Sequence, residues 1–105
     1  MALAGAAAFA AVFERGRRLD GRYMQLIVAT GERPPSRAGF VISRKALRRA
    51  VDRNRLRRQV RAMLVARAAE ATEPFDVVVR VKPPLSRSDL PAAADEARRL
   101  VARLG

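Results

Sequence analysis

The sequence predicts an α/β fold of the α+β type, a two-layer sandwich in which a small mixed sheet of about four strands carries three helices. Three observations lead there. Phe75 to Lys82 (FDVVVRVK) alternates with a period of two, Phe75, Val77, Val79 and Val81 on one face and Asp76, Val78, Arg80 and Lys82 on the other, as a strand does. Arg44 to Arg67 (RKALRRAVDRNRLRRQVRAMLVAR) has neither Gly nor Pro, and a helical period brings Leu56, Val60, Met63 and Leu64 into one stripe. At 105 residues the chain forms a single domain, 1–105, able to bury about 65% of its unfolded surface.

Taken in order, Ala6 to Arg15 reads as a first helix, with Phe9, Val12 and Phe13 on one side and Gly16 as its stop. Its aromatics read most simply as core residues. Arg17 to Gly21 adds a short edge strand, Tyr23 to Thr30 (YMQLIVAT) a full one, and Arg37 to Ser43 (RAGFVIS) another. The Gly31–Ser36 turn cluster makes a hairpin of the last two the economical pairing. The basic helix begins near Arg48 or Arg49 and runs to Ala69, where Glu70 to Pro74 breaks it. Val51, off the apolar stripe, is expected to pack at its start. After the strand 75–82, Ser86 to Asp89 supply capping groups and Pro91 suits the first turn of a last helix. That helix points Leu90, Ala94, Ala97, Leu100, Val101 and Leu104 at the core, with Asp95 and Glu96 early and Arg98, Arg99 and Arg103 late, matching its dipole.

Charge narrows the function. The chain carries +12 with a pI near 11.8, a balance that points to nucleic acid or an anionic surface. Ten of the basic residues fall between Arg44 and Arg67 against one acid, Asp52. Arg53, Arg57 and Arg61 follow one another at i, i+4, which costs an isolated helix about 0.2–0.5 kcal/mol per pair. A polyanion that supplies the missing charge accounts for the pattern; a solvated face in an arginine-rich proteome is the plainer alternative. The apolar start MALAGAAAFAAVF lacks a basic leader region and reads as helix rather than signal peptide, and no stretch nears the ~18 apolar residues of a membrane span. A cytoplasmic address is expected.

Chemistry carried by the protein itself is not indicated. The sequence has no His and no Cys, which removes the usual nucleophile–base pairs and thiolate metal sites. Its ten acids are scattered, and the adjacent pair Asp95–Glu96 sits on what reads as an ordinary amphipathic helix. No phosphate-cradling Gly-rich loop is present. Binding of RNA or DNA fits better, with phosphate contacts from the basic helix and base stacking from any exposed member of Phe9, Phe13, Tyr23 and Phe40.

The run AVDRNRLRRQVR, Ala50 to Arg61, resembles the RNR signature of the bacterial ribonuclease P protein family: Arg53-Asn54, then the basic pair Arg57-Arg58, then Arg61. The preceding GFVISRK (Gly39 to Lys45) is similar to that family's strand ending in two basic residues. FAAVFERGRRLDGRY (Phe9 to Tyr23) and FDVVVRVKP resemble its first helix with the entry to the sheet and its last strand. The resemblance covers most of the chain.

The resemblance implies a fold like the second domain of ribosomal protein S5, with a left-handed βαβ crossover. It implies a protein that binds the catalytic RNA and the 5′ leader of precursor tRNA and promotes Mg²⁺-dependent endonucleolytic removal of the leader. The Mg²⁺ would sit in the RNA's active site, with no dedicated site on the protein, and the protein alone would be inactive. Contacts to the catalytic RNA are expected from Arg44, Lys45, Arg49, Arg53, Asn54, Arg57, Arg58 and Arg61. The leader is expected in a cleft between the RNR helix and the sheet, lined by Phe9 and Phe13; Arg80 and Lys82, on the polar face of the last strand, are added as groove-lining charges from their alternation alone. Expected partners are ribonuclease P RNA and precursor tRNA, with no membrane and no obligate protein partner. The chain departs from the family pattern in two places: Ala2 to Ala8 carry no charge where a basic segment is usual, and Ile27 stands where some members place a cleft aromatic, so weaker leader stacking is expected. A general RNA-binding protein of the ribosome or its assembly is the alternative, and a basic helix lying on anionic membranes a more distant one.

Overall fold

The computed structural model describes residues 2–104. Along the chain run α1 (Ala6–Arg15), β1 (Arg17–Asp20), β2 (Met24–Thr30), β3 (Arg37–Val41), α2 (Ala50–Glu70), β4 (Phe75–Val81), a short 3₁₀ turn (Arg87–Asp89) and α3 (Leu90–Val101). The strands form one mixed sheet in the order β1-β2-β4-β3. β2 pairs antiparallel with β1 and with β4, while β3 lies parallel to β4, so that β3–α2–β4 is a crossover unit.

The β2–β3 hairpin expected from sequence does not form, because β4 lies between those strands. The reason is in β4 itself. Val77, Val78, Val79 and Val81 are all buried, so this strand needs cover on both faces and takes a central place. On one face, Leu26, Val28, Val77 and Val79 pack with Leu56, Val60 and Leu64 of α2 and Ala93, Ala97, Leu100 and Val101 of α3. On the other, Ile27, Ala29 and Val78 are covered by Leu3, by Val12 of α1 and by the partly buried Phe9 and Phe13. The sandwich thus gains a partial third layer from α1.

Within α2 the stripe Leu56, Val60 and Leu64 is buried and Met63 partly so, as its period predicts. Val51 differs: it is 61% exposed, because Ala46 and Leu47 of the preceding turn occupy the buried positions at the helix start. In α3 the core residue of the first turn is Ala93, with Ala94 only half-buried. Ser86 and Asp89 form a reciprocal capping box, and the Ser86 backbone N–H holds the Asp89 carboxyl below its ordinary pKa.

All three buried acids among the described residues are partnered. Asp76 accepts two hydrogen bonds from Arg37, at 3.0 and 2.7 Å. Asp52, in the first turn of α2, lies 3.7 Å from Arg87 and ties the helix start to the 3₁₀ turn. Glu96, read from sequence as an ordinary surface acid, is 7% exposed and reaches across to the β1–β2 turn, where its carboxylate accepts from the backbone N–H groups of Arg22, Tyr23 (2.9 Å) and Met24 (3.1 Å). Gly21 leaves room for it, since a side-chain carbon at that position would overlap the Glu96 carboxylate as it now lies. No helix among the described residues is long and apolar enough to cross a membrane.

Candidate nucleic-acid interface

The first surface is the outer side of α2. Burying Leu56, Val60 and Leu64 forces the residues between them outward, and Asn54, Arg55, Arg58 and Arg61 are exposed. Arg44 and Lys45 stand exposed on the turn before the helix, which Ser43 shapes by accepting from the Ala46 N–H through its hydroxyl at 3.1 Å. Arg48 and Arg49 are exposed as well.

Arg53 and Arg57 are used differently from their neighbours. Arg53 is half-buried, and its Nη1 donates to the carbonyl oxygens of Leu47 (2.8 Å) and Arg48 (3.0 Å), so it fastens the approach to the helix. Arg57 donates to Asn54 Oδ1 at 2.7 Å, which orients the asparagine amide outward from the same turn. The i, i+4 row of like charges is thereby spread, with Arg53 turned inward and Arg61 over the Phe40 ring of β3, its guanidinium carbon 5.1 Å from the centroid. Phe40, a stacking candidate from sequence, is thus engaged by this arginine.

The second surface is the sheet face that α1 only partly covers. One row of neighbours, Arg18, Ile27, Val78 and Gly39, crosses all four strands; Ile27 and Val78 are buried under α1, and the Phe9 ring lies so close over Gly39 that a methyl group there would overlap it. The next row, Asp20, Gln25, Arg80 and Val41, is open: Asp20, Arg80 and Val41 are exposed and Gln25 half-buried. Lys82 closes its end, donating to Asp20 Oδ1 at 2.5 Å and to the Gly21 carbonyl at 2.7 Å, and this bond holds the Asp20 carboxyl below its usual pKa. Gly39→Ala is expected to push Phe9 off the sheet and cost about 1–3 kcal/mol, seen as a lower Tm together with greater exposure of the ring.

The sequence matches the family model described as Ribonuclease P over residues 1–105. A relative named ribonuclease P protein component, from Acidothermus cellulolyticus, is 40% identical over 98 residues, 91% of this chain and 81% of that protein. The chain belongs to the ribonuclease P protein family. The ribonuclease P protein of Thermotoga maritima has a similar structure, with TM-score 0.72 and 28% identity over 92% of this chain and 91% of that one. That of Staphylococcus aureus, at 16% identity and TM-score 0.71 over 94% and 86%, shares the fold. As a ribonuclease P protein, the chain is a component of a ribonucleoprotein endoribonuclease of tRNA processing, and ribonuclease P RNA is its partner.

Set against the expected sites of a ribonuclease P protein, the RNR residues share one helix and its approach, but the expected cleft is not one place. Phe9, Phe13 and Arg80 lie on the sheet face turned away from α2. Between α2 and the sheet the space is filled by Leu56, Val60 and Leu64. Ile27 is fully buried under α1 and lines no open surface. Sequence reasoning missed Gln25 and Val41, whose place beside Arg80 depends on strand order; only the run of valines in β4 signalled that order. Among the described residues no group of three or more acids is placed to hold a metal ion.

Proposed function

We propose that this protein holds two RNAs at once, the catalytic RNA on the exposed side of α2 and the 5′ leader of precursor tRNA along the open row beside α1. The observation that carries the reading is the position of the two basic surfaces on opposite sides of one sheet, joined around the β3 edge, where Arg44 follows Val41 by three residues. Arg44, Lys45, Arg49, Asn54, Arg58 and Arg61 contact phosphates of the catalytic RNA, with Arg53 and Arg57 setting the backbone and the asparagine that support them. Arg80 faces the leader over a floor of Gln25 and Val41, and Lys82, tied to Asp20, stands at the end of that row. Phe9 and Phe13 pack α1 in place and offer ring edges to the leader.

The protein's part in catalysis is electrostatic. Removing the leader brings two polyanions together around Mg²⁺ held by the RNA. Arginines on both sheet faces offset the repulsion, so substrate binds and Mg²⁺ is retained at lower magnesium and lower salt. With +12 on 105 residues, the chain can neutralise several phosphates on each side.

The test is cleavage of a precursor tRNA at low Mg²⁺ by ribonuclease P RNA, with and without the protein, alongside the protein alone. Product is expected only when both components are present. Arg80→Ala is expected to raise KM several-fold for a substrate with a long leader and to leave that of a substrate with a one-nucleotide leader unchanged. Equal effects on both substrates would remove the leader from this surface.

A further inference from the structure

Between the second half of α2 and the edge of β3 lies a groove of about 280 Å³ whose lining includes Ala38, Arg61, Leu64, Val65, Ala68 and Phe75. Of its lining, only Arg61 belongs to a surface assigned above. Val65 is 62% exposed, and with Val51 in the first turn it is one of two large aliphatic residues that α2 leaves open to solvent. The groove continues past Pro34 and Ala69 into a second hollow that shares Val65 and Ala68.

We infer that this groove seats an unstacked base of the catalytic RNA, next to the phosphates held by α2. The inference rests on the reading of α2 as the face for that RNA. At 100° per residue, Asn54, Arg58, Arg61, Val65 and Ala68 fall within about 80° of one another, so the charged flank of the RNR segment runs on without a break into the apolar lining. Val65 follows Arg61 by one turn, a rise of about 6 Å, so a nucleotide whose phosphate meets Arg61 can lay its base against Val65 and Ala68. Arg61 is held at the lip of the groove by the Phe40 ring.

Charge selects the occupant. The groove is lined by Arg61 and by Arg37, the latter paired with Asp76, and by no acid; the one acid of the continuing hollow is Glu73. A second copy of this chain would bring another +12 to the contact, and a basic peptide would be repelled in the same way. A base arrives attached to negative phosphate, and its apolar faces suit an aliphatic slot with a phenyl floor.

The experiment compares the full-length protein with Val65→Gln and Arg61→Ala, each bound to the cognate ribonuclease P RNA. It reads Kd against salt and the chemical reactivity of unpaired bases. Val65→Gln changes an exposed residue to a better helix former and should keep the wild-type Tm. It is expected to raise Kd about ten-fold, to leave the salt slope unchanged, and to restore reactivity to a base that the wild-type protein shields. Arg61→Ala is expected to lower the salt slope by about 0.7 to 0.9.

Wild-type affinity and unchanged base reactivity for Val65→Gln would overturn the proposal. So would a changed salt slope, which would make the contact a phosphate one, or a loss of self-association with an intact footprint, which would make the groove an interface between copies. If Arg58→Ala and Arg61→Ala bind as wild type, it is the reading of α2 that fails; a base shielded in the wild type and freed by Val65→Gln would still stand as separate support for the groove.

Discussion

Glu96→Ala is expected to destabilise the protein by about 3 kcal/mol, lowering Tm by roughly 15 °C, more than any exposed substitution. The carboxylate accepts from three consecutive backbone N–H groups at the β1–β2 turn. Arg22 is exposed and Tyr23 half-buried, so water can replace two of these bonds, whereas Met24 is fully buried and its N–H would be left without a partner. Glu96→Gln keeps the shape and one oxygen, and is expected to lose about half as much. Thermal melts of both variants decide it. A Tm within a few degrees of wild type for alanine would mean that the turn closes without the clamp.

The second large effect belongs to RNA binding. Arg58→Ala together with Arg61→Ala is expected to weaken binding of ribonuclease P RNA roughly 100-fold, to lower the slope of log K against log salt by about 1.4 to 1.8, and to raise the Mg²⁺ needed for cleavage. Both side chains are exposed, so stability should barely move beyond the small cation–π contribution of Arg61. The pair Arg53→Ala with Arg57→Ala should also raise the Mg²⁺ requirement, but for a mixed reason. Arg53 holds the Leu47 and Arg48 carbonyls, so its loss loosens the approach that carries Arg44 and Lys45 and should lower Tm as well. Filter binding over a salt series, run beside thermal melts, separates the two cases. Unchanged affinity for Arg58→Ala with Arg61→Ala at low salt would count against α2 as the RNA face.

Local patterns were legible in the sequence, and long-range placements were not. The period of Leu56, Val60 and Leu64 gave α2 its buried side, and with it the outward set Asn54, Arg55, Arg58 and Arg61. Ser86, Asp89 and Pro91 marked the start of α3 through capping chemistry that acts within a few residues. Strand order was missed because a short turn between β2 and β3 favours a hairpin, while the burial of β4 on both faces is a tertiary demand that overrides it. Glu96 was missed for a related reason. Its partners lie more than seventy residues earlier in the chain, and an early-helix acid already has a local explanation in the helix dipole. The division of Phe9 and Phe13 from the RNR helix follows from α1 crossing the opposite face, which no periodicity reveals.

The central place of β4 also fixes an order of events during synthesis. Until residues 75–81 leave the ribosome, β3 has no full-length strand to pair with and β2 has only the four residues of β1. The basic segment of α2 is therefore complete before the sheet it docks on exists. In that interval its stacked like charges disfavour the helix and its apolar stripe has no partner. Until the sheet closes, such a segment is open to any polyanion it meets. The long sequence separation of these pairings makes closure the slow step, so the last third of the chain controls when the arginines become available to their proper partner.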